Sequence, residues 1–322
     1  MTAAGPLRVV VIGAGMAGLT AARLIADAGH VVSVLDKGRR AGGRLATRQL
    51  TGGGFADYGA QFFTARSEAF SRVVAQWVES GAVRQWCRGF SRDDGHPRYV
   101  AADGMGQLAA RMAVGLDVRQ SVHVDAVRQV AGRWAVSWPA TARASAGVLE
   151  ADVVVLTPPA PQSAVLVAGQ ATIPQVAYEP TISLLVALGD PPSVPSPGGI
   201  QLRDDPTWSW IGDNMAKGVS RLPAVTLHTS SEVATARWEQ DDDGLTIDLL
   251  HAASPWLGGA EILGASLQRW RYATLVHPHP EPCVVRAGGG LVFAGDGYGG
   301  ARVEGAFLSG RAAAEALLNR ED

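Results

Sequence analysis

Residues 7–36 read Leu7-Arg8-Val9-Val10-Val11-Ile12-Gly13-Ala14-Gly15-Met16-Ala17-Gly18-Leu19-Thr20-Ala21-Ala22-Arg23-Leu24-Ile25-Ala26-Asp27-Ala28-Gly29-His30-Val31-Val32-Ser33-Val34-Leu35-Asp36. The run Leu7 to Ile12 is short, apolar and rich in β-branched residues, the composition of a strand buried on both faces of a parallel sheet. Glycines follow at 13, 15 and 18, and the alanine-rich segment Leu19 to Ala28 predicts a helix. Gly29 is placed to end that helix in a left-handed turn. Val31 to Leu35 predicts a second strand, which delivers Asp36 at its carboxyl end. Each glycine has a physical reason: Gly13 permits a tight turn, Gly15 lets the backbone approach a pyrophosphate, and Gly18 lets the helix pack on the strand. The helix start adds free N–H groups and the positive end of its dipole. The expected cradle is therefore Gly13, Ala14, Gly15, Met16, Ala17 and Gly18, with Asp36 and Lys37 at the nucleotide ribose. Asp36 follows Gly13 by the spacing of about 20 residues that such an acid keeps. By itself this unit serves NAD and FAD equally.

Downstream, Asp36-Lys37 is followed by Gly42-Gly43-Arg44. That pattern resembles the signature of FAD enzymes of the amine-oxidase superfamily. The resemblance implies that Gly43 carries the backbone past the cofactor and that Arg44 lies near its phosphates. Two later stretches resemble the same superfamily. Val118 to Val130 and Arg133 to Trp138 read as a β-meander, and Asp152 to Leu156 is an apolar strand running into Thr157-Pro158-Pro159. The likeness places Thr157 beside the cofactor and the Val124 backbone at the adenine. Near the end of the chain, Gly290 to Ala294 is a final strand ending in Gly295-Asp296, followed by Arg302-Val303-Glu304-Gly305-Ala306 and a helix with Leu308, Ala312, Ala316 and Leu317 in its stripe. Asp296 resembles the family acid that bonds the ribityl chain. Val303, Glu304, Gly305 and Ala306 then face the flavin pyrimidine, where a helix start stabilises negative charge.

The implied fold class is α/β: a Rossmann-type FAD-binding domain of the glutathione-reductase-like, amine-oxidase type, with an interleaved mixed α+β substrate domain. Residues 1–65, 100–159 and 283–322 are assigned to the first, and 66–99 and 160–282 to the second. Alternating stretches at Thr181 to Leu188 and Ala224 to Thr229 predict an antiparallel sheet with covering helices, forming a wall of the substrate cleft beside the isoalloxazine.

Bulk properties remove other classes. The 322 residues are 47% hydrophobic and 18% charged with a formal net charge of −2, so nothing draws the molecule to nucleic acid or an anionic membrane. No stretch reaches the roughly 18 uninterrupted apolar residues of a membrane helix, and the glycines break the apolar start as a signal peptide. Cys87 and Cys283 are the two cysteines; their separation disfavours a disulfide framework and a thiolate metal site, and fits a cytoplasmic setting. His277-Pro278-His279 has no acid pair or cysteine beside it, so no metal is expected. Cys283 carries no pattern of a covalent flavin link, so FAD is expected to bind non-covalently. No feature of the sequence bears on oligomeric state.

The block Asp57-Tyr58-Gly59-Ala60-Gln61-Phe62-Phe63-Thr64-Ala65-Arg66 is more specific. It resembles the Asp-x-Gly-Ala-Gln-Tyr-Phe-Thr-Ala-Arg block of bacterial renalase-like proteins, with Phe62 where tyrosine is usual. Ala102-Asp103-Gly104-Met105, Ser209-Trp210-Ile211 with Asn214 and Lys217, Leu227-His228, Arg269-Trp270-Arg271-Tyr272-Ala273 and Arg302 to Gly310 resemble the same subgroup. The likeness implies an FAD oxidase that takes hydride from 2- or 6-dihydro isomers of NAD(P)H to flavin N5, with O₂ as acceptor and NAD(P)⁺ and peroxide as products. A dihydronicotinamide aromatises on oxidation, so a flat slot and correct orientation matter more than a strong base. No catalytic acid or base is assigned. Gln61, Phe62, Trp210, Asn214, His228, Trp270 and Tyr272 are the expected substrate-binding residues, with Gly59, Ala60, Gln61 and Phe62 also near the cofactor. Lys217 and Arg221 read as loop charges that either meet substrate phosphates or face solvent. Two other readings stay open: an amine oxidase or desaturase of the same superfamily, for which Lys37 and Lys217 are the two lysines available, and a nucleotide-binding redox sensor without turnover.

Overall fold

The computed structural model describes residues 5–90 and 94–319. Arg8–Ile12 becomes an inner strand of a six-stranded sheet, in the order Val284–Arg286, Leu291–Phe293, Val153–Leu156, Arg8–Ile12, Val31–Leu35, Asp117–Arg119. Neighbours run parallel except at the Val284–Arg286 edge, which is antiparallel. Val9, Val10, Val11 and Ile12 are all buried, as the unbroken apolar run predicts for a strand covered on both faces. The first helix spans Met16–Asp27, three residues earlier than the alanine-rich composition suggested, because the extended backbone of Gly15 already serves as its N-cap. Gly29, at φ +90°, closes the other end: its N–H reaches Ala26 and that of His30 reaches Ile25.

Helix Arg302–Leu318 packs against Met16–Asp27. At their closest approach a Cβ on Gly310 would lie 2.2 Å from the Ala17 carbonyl oxygen. Gly310→Ala must push the helices apart, at a cost of about 1–3 kcal/mol; a lowered urea midpoint with unchanged slope is the expected reading.

An antiparallel meander, Ala126–Val130, Arg133–Trp138 and Gly147–Ala151, completes this unit's sheets. The expectation that Val118 to Val130 forms one meander strand is corrected. Asp117–Arg119 joins the parallel sheet, and the chain then turns through Ser121 at φ +60°. The cause is local: the N–H groups of Ser121 and Val122 bond to the carbonyls of Gly38 and Asp36, tying this stretch to the end of the second strand.

Residues up to Gly43, Ala109–Ala177 and from Leu275 onward form this first compact unit; Arg44–Leu108 and Tyr178–Thr274 form the second. The second unit is built on a five-stranded sheet ordered Gly199–Gln201, Trp208–Asp213, Ala224–Thr229, Tyr178–Leu188, Ile262–Leu275. Ile182, Leu184, Val186, Ile211, Val225 and Leu227 point one way and pack under helices Ser231–Ala236 and Asp242–Leu257. Leu185, Ala187 and Ala224 point the other way and meet Leu50 and Ala56 of the hairpin Thr47–Gln49/Phe55–Asp57. That contact explains why residues 44–65, assigned from sequence with the nucleotide segments, cluster with the five-stranded sheet. The sequence boundaries at 66, 100, 160 and 283 become 44, 109, 178 and 275 in the contact pattern. Among the described residues, no helix is long and apolar enough to cross a membrane.

Candidate active site

In the first unit the three loop glycines do different work. Gly13 sits at φ +100°, and a Cβ there would come 2.5 Å from Thr157 Oγ1. A Cβ on Gly18 would come 1.9 Å from the Gly13 carbonyl oxygen. Both are packing glycines. A Cβ on Gly15 would find only Gly42 O, at 3.8 Å, so Gly15 alone borders open space. It has no side chain with which to cap the helix, which leaves the first-turn N–H groups and the positive dipole end to any anion held there. Gly42 pairs with Gly15 as an isolated bridge, and its N–H donates to Ala14 O at 2.7 Å. Asp36 is buried at the strand end; Ala14 N–H donates to Oδ2 and Gly38 N–H to Oδ1, both at 2.6 Å. Lys37 is exposed beside it.

Thr157 sits beneath this loop. Its hydroxyl donates to Ile12 O at 2.8 Å and reaches Gly13 O at 3.3 Å, so its side chain holds the glycine turn in place. Val124 is buried two residues beyond the Val122 amide that is tied to Asp36. On the far strand, Gly295 at φ +129° donates its N–H to the Ser309 hydroxyl at 2.8 Å, and Asp296 follows, buried. Ser309 thus positions the Gly-Asp turn, a role that the sequence reading missed. Val303 and Gly305 are buried in the first turn of helix Arg302–Leu318, Glu304 and Ala306 are partly buried, and N-cap Ala301 offers no side-chain cap. A Cβ on Gly305 would lie 2.0 Å from Gly300 O, so this glycine seats the loop against the helix.

In the second unit the residues at 57–61 meet a polar knot on the sheet face opposite the helices. Asp57 and Lys217 are wholly buried and ion-paired, Nζ to Oδ2, at 3.0 Å. Asp57 Oδ1 accepts from Met105 N–H at 2.8 Å and from the Thr47 hydroxyl. Lys217 Nζ donates to Gln61 Oε1 at 3.0 Å, and Arg84 holds the Lys217 backbone carbonyl. Gln61 Nε2 donates to Asp57 O at 2.7 Å and Gly59 O at 3.2 Å, and lies 3.5 Å from His228 Nε2. The expectation that Lys217 faces solvent or substrate phosphates is therefore corrected: the sheet buries it against Asp57.

Burial pushes the Lys217 pKa down, and Asp57 opposes that shift. The Asp57 carboxyl group has two donors on Oδ1 and the Lys217 ammonium on Oδ2. Burial, and then the Lys217 charge, push His228 from its ordinary 6.5 to about 3, against a hydrogen bond to the Tyr58 backbone. The unfolded chain therefore takes up that proton first. Stability linked to the neutral ring is complete above about 6.5 and is lost as pH falls toward about 3. The urea midpoint of the wild type is expected to drop between about pH 7 and pH 5, with a smaller drop for His228→Gln.

Asn214, expected at the substrate, is fully buried. Its Oδ1 accepts Asp57 N–H at 3.1 Å, and its Nδ2 donates to Thr226 Oγ1 at 2.9 Å and reaches Ala224 O at 3.4 Å. That assignment is corrected: the amide is consumed in clamping Asp57. Trp210 is also corrected from platform to core, being 5% exposed. Its ring packs with Phe62 at 5.5 Å, Phe90 at 5.0 Å and Trp86 at 6.2 Å between centroids. Phe62 is partly buried. Trp270 stacks on Tyr58 at 5.5 Å and donates its indole N–H to Tyr58 O at 2.8 Å. Tyr272 lies edge-on to Tyr178 at 5.7 Å. Arg44, expected near phosphates, donates to Tyr272 O at 3.0 Å and lies 6.0 Å from the Tyr178 ring. Gly59 packs on the Arg44 carbonyl, where a Cβ would come within 2.1 Å, and Ala60 N–H bonds to that same oxygen at 2.8 Å. Among the described residues, no three His, Cys, Asp or Glu side chains gather as a metal site.

Residues 11–77 match the family described as NAD(P)-binding Rossmann-like domain. Over 84 residues the chain is 40% identical to an L-amino acid oxidase of Bothrops pictus, a stretch covering 26% of this chain and 16% of that protein. Over 78 residues it is 51% identical to L-amino-acid oxidase BmooLAAO-I of Bothrops moojeni, covering 24% of this chain and 15% of that one. The matches therefore span about one sixth of the length of these curated relatives. A crystal structure from Exiguobacterium sp. 255-15, of a protein provisionally assigned as a protoporphyrinogen oxidase, superimposes with a TM-score of 0.68. It covers 97% of this chain and 99% of its own at 12% identity, a likeness of fold. Residues 11–77 thus resemble a Rossmann-like NAD(P)-binding domain, and the mixed α/β fold is shared with that structure over nearly the whole chain.

Proposed function

We propose that the chain is a flavin-dependent oxidoreductase, and more narrowly an oxidase of 2- or 6-dihydro isomers of NAD(P)H, with O₂ as acceptor and NAD(P)⁺ and hydrogen peroxide as products. The observation that carries the reading is the open cradle at Gly15, bounded by Asp36, Gly42 and an uncapped helix start. The residues fit a non-covalent dinucleotide. The backbone from Gly13 to Gly18 would hold the pyrophosphate, Asp36 the ribose, Asp296 the ribityl chain, and the N–H groups of Val303 to Ala306 the pyrimidine edge. FAD, when bound, supplies the hydride acceptor; the chain's own groups orient and exclude.

A dihydronicotinamide aromatises on oxidation and gives up hydride without first losing a proton, and within the second unit the buried basic groups are not free bases. Lys217 is committed to Asp57 and Gln61, and a His228 with a pKa of about 3 is a poor base at neutral pH. The proposed partner molecules are small: the dihydronicotinamide dinucleotide and O₂. A cytoplasmic location is part of the reading, in keeping with free thiols at Cys87 and Cys283.

A second reading, oxidation of an amine or amino acid, is favoured by the short likeness to L-amino-acid oxidases. One experiment separates the readings. The purified protein is expected to be yellow, and anaerobic mixing with 6-dihydroNAD is expected to bleach its flavin. Bleaching by an amine or amino acid but not by dihydronicotinamides selects the second reading. A flavin that no donor bleaches points to a sensor, and a protein without flavin overturns both enzymatic readings.

A further inference from the structure

Two side-chain hydroxyls in the first unit hold two glycine turns at the carboxyl ends of the parallel strands. Thr157 follows strand Val153–Leu156, and its hydroxyl donates to Ile12 O at 2.8 Å. That oxygen also fills the space between the turn and the first helix: a Cβ on Gly13 would stand 2.5 Å from it, and one on Gly18 3.0 Å. Thr157 therefore wedges the Gly13 turn against the helix start with its side chain. Ser309 is wholly buried in helix Arg302–Leu318, and its hydroxyl accepts Gly295 N–H at 2.8 Å. The φ of +129° at Gly295 is one of many conformations open to a glycine, so local preference does not hold this turn. The Thr157 backbone carbonyl lies 3.2 Å from where a Cβ on Gly295 would stand, a contact that survives any change of the Thr157 side chain. The two hydroxyls thus reach different turns from different segments.

We propose that Thr157 and Ser309 are positioning residues for opposite halves of one dinucleotide cofactor. Thr157 sets the turn that receives the pyrophosphate and adenosine half, and Ser309 sets the turn that presents Asp296 to the ribityl and flavin half. The assignment rests on the proposed function, in which the Gly13 to Gly18 backbone and Asp36 hold one half and Asp296 the other. Each hydroxyl acts through a glycine and not by contact with the cofactor. A released turn samples other conformations, and apparent affinity falls with the fraction that stays competent. ADP carries the first half of FAD without the second, so it reports on the Gly13 turn alone.

The test is equilibrium titration of the flavin-free full-length protein with FAD and, separately, with ADP, beside a urea curve for each variant. Ser309→Ala is expected to weaken FAD about tenfold and to leave ADP within about twofold, because one buried hydrogen bond is lost from one turn. Thr157→Val is expected to weaken FAD and ADP by a common factor of about five, and Thr157→Ser, which keeps the hydroxyl, to bind both as the wild type does. Should either variant fail to fold, Ser309→Cys and Thr157→Ala are read in its place for the same split. A Ser309 variant that keeps full FAD affinity overturns the proposal. So does one that loses ADP in parallel with FAD, the mark of a merely structural role. A Thr157 variant that keeps its ADP affinity overturns it as well. None of these titrations depends on turnover. A wild type that binds FAD but whose variants show no split sinks the positioning alone. A wild type that binds no FAD sinks the flavin reading, and the Ser309 half with it.

Discussion

Gly15→Ala is expected to give a folded protein that has lost its flavin. The backbone at Gly15 has φ −83° and ψ −173°, which alanine adopts without strain, and the added methyl would meet only Gly42 O at 3.8 Å. Alanine is a poorer N-cap than glycine, so stability falls by about 1 kcal/mol or less. The open side of Gly15 is where a pyrophosphate must approach, and a methyl there holds it away from the first-turn N–H groups. Affinity for FAD should fall by about 10³-fold, equivalent to about 4 kcal/mol. Absorbance of the purified protein and titration of its flavin-free form with FAD measure this, and a urea curve shows that folding is kept. Gly18→Ala provides the contrast: its methyl runs into the Gly13 carbonyl oxygen at 1.9 Å, so stability and flavin are lost together. If Gly15→Ala keeps its yellow colour at full occupancy, the cradle assignment is wrong.

The three glycines looked alike in sequence, and the structure separates them by what each would touch. The strand, helix and strand around them were legible because their causes are local: an apolar β-branched run, a helix-forming composition and a glycine placed for positive φ. The final Gly295-Asp296 turn was legible for the same reason, although its Ser309 anchor lies 14 residues on and gives no local signal. The second unit was harder to read. Asn214 and Trp210 look like ligands in a polar and aromatic stretch, yet sheet pairing turns Asn214 onto the Asp57 amide and Trp210 into a cluster with Phe62, Phe90 and Trp86. Lys217, flanked by Ala216 and Gly218, reads as a loop charge. What buries it is Asp57, 160 positions earlier in the chain. One faint signal was present: only two of the 28 basic residues are lysines, so a lysine is the exception here and its compact charge suits a tight cavity.

Lys217→Met is expected to cause the larger loss of stability, and its partner substitution should largely restore it. With the lysine gone, the Asp57 side chain has no exposure and no opposing charge, only the Met105 N–H and the Thr47 hydroxyl on Oδ1. Breaking one side of a buried pair costs about 3–5 kcal/mol, chiefly as the penalty of the stranded charge. Asp57→Asn removes that charge while its carbonyl oxygen can still accept from Met105 and Thr47. The double variant should therefore return to within about 1–2 kcal/mol of the wild type, because an apolar or neutral replacement of a buried pair is often close to neutral. The four proteins form a double-mutant cycle, read by urea denaturation, in which each single variant strands a charge at a cost of about 3–5 kcal/mol, so that the two singles together should exceed the double variant by at least about 4 kcal/mol. A single variant that loses less than about 1 kcal/mol would mean that the pair carries no net charge or is reached by water. The cycle also bears on function: if the double variant is as stable as the wild type yet is reduced more slowly by the dihydronicotinamide, then the pair exists to orient Gln61 and His228 and not to hold the sheet together.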